Sequence, residues 1–202
     1  MTIVPAEVHP PSAAERGSAP AGGSLPLVSV NRVRFSRPPS TPDGALRDLD
    51  AEVELSGAGD PEPRVVGRVR GRLGWLAWLP EHLDSAPDPD SAHVIGTAIR
   101  VGNYLSAELG APIESVLIVE DLWLDPPWRG AGVAATVAEQ LIDLLLLTPE
   151  FTLVLGFVES PAGPPTGPAP TGTHAGAEEY RAAGFERWLG GNAWFLRPVP
   201  GE

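Results

Sequence analysis

Residues 115–135 read SVLIVEDLWLDPPWRGAGVAA. Their first ten residues form a nearly continuous apolar run, which predicts a central strand buried on both faces. The run stops at Asp125-Pro126-Pro127-Trp128, where two prolines remove amide donors and fix the backbone. Behind that turn Val133, Val137, Leu141 and Leu144 recur at helical spacing and predict a helix over 131–147. Gly130 and Gly132 let the backbone approach a ligand with no Cβ in the way. The first-turn amides of the helix lack intrahelical partners, and the helix dipole adds partial positive charge. The turn therefore suits phosphate. A buried strand feeding such a helix predicts an α/β or α+β fold.

Two phosphate ligands compete. Gly130, Gly132 and Ala135 fit the dinucleotide pattern G-x-G-x-x-A. Three features oppose it. DPPW separates the glycines from the strand, and only about 70 residues remain to complete a doubly wound sheet. The acid expected about 20 residues on is Glu150, which precedes the next strand instead of ending it.

The second reading rests on two motifs. LWLDPPWRGAGVA places Arg129, Gly132 and Ala134 in the pattern Arg/Gln-x-x-Gly-x-Gly/Ala after a Pro turn. Downstream, EEYRAAGFERW places Tyr180 four residues before Gly184-Phe185, as Y-x-x-x-G-F. In this order, separated by a helix and a strand, they resemble the acyl-CoA motif and last-helix signature of the GNAT N-acetyltransferase superfamily, over roughly 115–197. The resemblance implies a GNAT-like mixed, mostly antiparallel sheet, with splayed central strands flanked by helices. It implies direct transfer of an acetyl group from acetyl-CoA to an amine acceptor, a small molecule or peptide, without metal. Backbone groups of Leu122, Trp123 and Leu124 would hold the pantetheine amides. Arg129 and the amides of Gly130, Ala131, Gly132, Val133, Ala134 and Ala135 would hold the pyrophosphate. Tyr180 would protonate the departing thiolate. An acyl-CoA-binding regulatory or interaction module without turnover is the alternative.

Glu120 and Asp121 interrupt the apolar strand and are the candidates for general base. A buried carboxylate has a raised pKa, which suits that task. The competing reading puts them at a bulge or strand end, facing solvent or an arginine. The chain also departs from the family pattern. Only SRPPSTPDGALR separates the first two strands, where members usually place two helices, and no Asn follows the second splayed strand. The acceptor pocket is therefore open.

Working outward, residues 28–35 and 48–55 read as strands, the latter with Leu49, Ala51, Val53 and Leu55 alternating with acids. Residues 64–76 alternate Val65, Gly67, Val69, Gly71, Leu73 and Trp75 against Arg64, Arg68, Arg70 and Arg72. A hairpin joining these two strands would set the acidic face beside the arginine face as cross-strand ion pairs. A helix capped by Asp90 or Ser91 runs to about 109 and stops at Gly110. A strand over 151–158, a short helix over 176–183 and two strands within 186–197 complete a single domain over 25–199. Residues 1–24 read as a disordered tail, and 160–176 as a long flexible Pro/Gly loop.

Composition bounds the chemistry. Gly and Pro number 23 and 24 of 202 residues, short of the roughly 25–30% at which low complexity becomes the default. With no cysteine there is no disulfide, thiolate metal site or cysteine nucleophile. All 14 basic residues are arginine, which excludes a lysine Schiff base and a P-loop lysine. The four histidines have no metal-ligand spacing. A net charge of −12 opposes nucleic-acid and anionic-membrane binding. Residues 80–202 hold 17 acids against 5 bases, whereas residues 1–79 hold 9 of each. The acidic half favours a cationic amine as acceptor. The N-terminus lacks a charged region followed by an apolar stretch, so no signal peptide is expected, and a cytoplasmic protein is.

Overall fold

In the computed structural model of the chain, residues 27–36, 46–56, 63–129, 133–158, 173–174, 176–189 and 192–198 are described. The expected tail and most of the expected 160–176 loop lie outside them. The chain runs β1 Leu27–Ser36, β2 Leu46–Ser56, β3 Arg64–Trp75, α1 Leu79–Asp84, α2 Pro89–Leu109, β4 Ser115–Leu124 and α3 Val133–Leu144. It continues through β5 Thr152–Phe157, β6 Thr173–His174, α4 Ala177–Ala182, β7 Glu186–Arg187 and β8 Ala193–Leu196. The strands form one sheet in the order β1-β2-β3-β4-β5-β8-β7, with β6 attached to β4. Only β4 and β5 pair in parallel; the other described pairings are antiparallel. The fold is mixed α/β with a mostly antiparallel sheet.

β4 is buried at all ten positions, as its apolar run predicts. Its faces serve two cores. Val116 and Ile118 meet Val94, Ala98, Val101 and Leu105 of α2 and Leu153 and Leu155 of β5. Leu117, Val119, Leu122 and Leu124 meet Val133, Val137 and Leu141 of α3 and the inward face of β1, β2 and β3. The sheet is thus the middle of three layers. β2 keeps its predicted alternation, with Leu49, Ala51 and Val53 at most 1% exposed.

β3 does not keep its alternation. Val53 faces Gly67 and Glu54 faces Val65, so Val66 is an extra residue on β3. Such a bulge exchanges the faces beyond it. Val66 is consequently buried, and Val65, expected inside, is exposed. Trp75 is also exposed, and Leu76 fills the core from a 3-10 turn, Leu76–Trp78, that leads into α1.

α2 begins earlier than expected. Asp88, not Asp90 or Ser91, caps it by accepting the Ser91 amide at 2.7 Å, with Pro89 in the first helical turn. Gly110 ends it at φ 65°, as predicted. α3 ends at Leu144, short of the expected 147. Leu146 takes a left-handed φ of 53° beyond the helix end. Leu144 is exposed, and Ala134, Ala138 and Ile142 complete the buried stripe.

Candidate functional site

β4 and β5 pair from Ser115 with Thr152 to Val119 with Gly156. There the ladder ends, while β4 continues to Leu124. Arg70 of β3 faces Asp121 and Gly71 faces Val119, so Glu120 is the extra residue of a bulge in β4. A bulge bends and twists its strand, and β5 itself ends one residue beyond its last pairing, at Phe157. Gly71 makes the approach possible, since a Cβ there would fall 1.9 Å from the Ile118 carbonyl oxygen.

The two carboxylates stand where the fork opens. Glu120 is 4% exposed and Asp121 is 1% exposed. Arg72 Nε lies 3.1 Å from Glu120 Oε1, an oxygen that accepts no hydrogen bond among the described residues. Arg70 Nη2 donates to Asp121 Oδ2 at 2.5 Å, and its guanidinium lies over the Trp123 ring. Burial pushes the Glu120 carboxyl above its ordinary pKa, against the charges of Arg72 and Arg70. Both acids therefore occupy the bulge-and-arginine setting that was the competing reading. The arginine face forms its predicted cross-strand pairs, Arg68 with Asp50 and Arg72 with Asp48. Arg70 and Arg72 additionally reach across to β4.

Tyr180 enters from the other side of the fork. Its side chain is fully buried, and a Cβ on Gly156 would fall 2.3 Å from its Cε1 and 2.9 Å from its hydroxyl. Only glycine lets the ring lie on β5 at this point. Phe185 and Trp194 flank the ring. Among the described residues the hydroxyl makes no hydrogen bond of good geometry. Burial first, and then the Asp121 carboxylate, push its pKa above the ordinary phenol value, so it stays protonated; the Phe157 backbone is the polar group that pulls its pKa down. Asp121 thereby couples electrostatically to both Arg70 and Tyr180.

The turn after β4 is a 3-10 turn, Pro126–Trp128, and Arg129 Nε donates back to the Leu124 carbonyl at 3.0 Å. Arg129 thus braces the turn. Gly130, Ala131 and Gly132 lie outside the described residues. Val133 and Ala134 open α3, both buried, and Ala135 is partly buried. Leu122, Trp123 and Leu124 are buried at the end of β4.

Two contacts engage the expected ligand-holding groups from within the chain. β3 covers one edge of β4 along its whole length. On the other edge, beyond the end of β5 pairing, β6 sets His174 against Trp123 and Thr173 against Leu124. The Ala134 amide, in the first turn of α3, donates to Glu179 Oε1 at 3.1 Å, and Glu179 is 2% exposed. Sequence reasoning missed both. β6 falls inside the segment expected to be a loop. Glu179 stands in a Glu-Glu pair that reads as a solvated helix start, whereas Glu178 alone is exposed. Gly156 was missed as well, although a lone glycine in FTLVLGFV is a sequence signal of close backbone approach.

A cavity of 440 Å³ opens beside the end of β4, lined by Arg32, Arg68, Asp50, Glu52, Trp123 and Asp125, among others. It shares the end of β4 with the fork but contains neither Glu120, Asp121 nor Tyr180. Among the described residues no group of His, Asp or Glu is arranged to hold a metal ion. None of the described helices is long and apolar enough to cross a membrane. The chain matches no protein-family model, no curated protein and no solved structure.

Proposed function

We propose that the chain is a cytoplasmic acetyl-CoA-dependent N-acetyltransferase of the GNAT type. One observation carries the reading. The only parallel pair of described strands stops pairing at Val119 and Gly156, where two buried carboxylates follow on β4 and the buried Tyr180 ring lies on Gly156, its hydroxyl kept protonated first by burial and then by the Asp121 charge. The resemblance of RGAGVA and YRAAGF to the family's motifs points to the same place.

The residues present suit such a ligand in kind. Leu122, Trp123 and Leu124 offer backbone groups along an apolar strand, and Arg129 with the 130–135 segment offers amides at a helix start. When bound, acetyl-CoA supplies an acetyl group activated as a thioester. Tyr180 holds a proton on its hydroxyl at the fork. Glu120, with its raised pKa, is suited to accept one from an amine. Asp121, bonded to Arg70, tunes the field around Tyr180. The acceptor is a small-molecule or peptide amine.

A release assay for free thiol across a panel of amines, cationic ones included, tests turnover. An acceptor-dependent rate is expected. Tyr180→Phe should lower kcat by about 10²–10⁴-fold. A rate that no amine raises above water hydrolysis counts against the enzyme. The pairing of β6 with β4 and the bond from Ala134 to Glu179 favour the second reading, a module of this fold without turnover.

A further inference from the structure

The segment that carries Tyr180 also carries both self-contacts. Thr173–His174 lies along the β4 edge expected to hold pantetheine amides, and Glu179 sits on an amide expected to hold a phosphate. A backbone strand and a carboxylate, joined in one stretch of chain, thus stand in for an amide-bearing arm and its anionic end. We propose that this segment is a built-in competitor for the acyl-CoA slot, and that Glu179 sets how tightly the cofactor binds. The inference rests on the acyl-CoA reading of the fork.

The physical argument separates the two contacts. A two-residue strand is a weak ladder. Exchanging its hydrogen bonds for those of another amide chain replaces like with like, so it opposes a ligand little. Glu179 opposes one more strongly. Its carboxylate is buried and takes a first-turn amide of α3, where the helix dipole stabilises one anion. A diphosphate arriving there must displace that charge or sit beside it, and like charges at short range disfavour each other. Glu178 next to it is exposed and pairs with Arg181, so it offers a matched control.

The test titrates CoA by calorimetry into the full chain, Glu179→Gln and Glu178→Gln. Glutamine keeps an oxygen for the Ala134 amide and removes the charge. Glu179→Gln should lower the Kd for CoA on the order of tenfold, and Glu178→Gln should leave it unchanged. Hydrogen exchange on the unaltered chain provides a second readout that survives a misfolded variant. CoA should speed exchange at the Thr173 and His174 amides as β6 leaves β4. Equal Kd values for the unaltered chain and a folded Glu179→Gln overturn the competitor and leave the acyl-CoA reading standing. Bound CoA with unchanged exchange at Thr173 and His174 does the same. No binding to any of the three proteins overturns both.

Discussion

At the scale of single residues, the fork depends on what Gly156 leaves out. Adding one methyl there drives a carbon into the Tyr180 ring, which Phe185 and Trp194 prevent from retreating. Gly156→Ala is therefore expected to cost about 1–3 kcal/mol of stability by overpacking, measurable by urea denaturation. Glu120 gives a second expectation, in pH. Its folded pKa is raised, so the native state favours the protonated acid. Stability from this group is fully present below the unfolded carboxylate pKa of about 4.3 and is lost as pH rises through the folded value. Unfolding of Glu120→Gln compared with the unaltered chain should show the variant gaining relative stability as pH rises above that point. A difference independent of pH would contradict the burial effect. The sequence made Glu120 and Asp121 visible because they break an apolar run, and Tyr180 because it falls in the Y-x-x-x-G-F motif. It hid Glu179, because burial of an acid beside an exposed twin depends on where a distant helix begins.

At the scale of elements, the terminal caps hold α2 in place over β4. Asp88→Ala removes the acceptor for the Ser91 amide and should cost about 1 kcal/mol. Ser91 holds the Asp88 carboxyl below its ordinary pKa. The capping benefit is therefore present above the unfolded aspartate pKa of about 3.9 and fades as pH falls through the lower folded value. Thermal melts of both proteins at neutral and acid pH check the size and the sign. Strands and helices with one buried face were legible from period, as β2 and α2 show, and β4, buried on both faces, from its continuous apolar run. Both bulges were not. An extra residue at Val66 or Glu120 is defined by the partner strand's register, which no local pattern contains. The bulge at Glu120 lies where the pairing of β4 with β5 stops, so this local geometry lay beyond the sequence reading even where its residues did not. β6 escaped for the same reason: two residues have no period, and their partner is the distant end of β4.

At the scale of the whole molecule, charge sets the approach of ligands. The net charge of −12 resides in the half that contains β4, α3 and α4. It repels an anion at long range and attracts a cationic amine. Turnover with a cationic acceptor should fall as ionic strength rises past the point where the screening length drops to about 10 Å. Rates insensitive to salt would contradict that preference. The Arg70 and Arg72 pairs with Asp121 and Glu120 neutralise charge locally at the fork. Calorimetric titration of the full chain with acetyl-CoA, with NADH as the competing ligand class, tests the fork most directly. Saturable heat from acetyl-CoA and none from NADH is the expected result. No heat from acetyl-CoA at millimolar concentration would contradict the assignment of the fork as an acyl-CoA site.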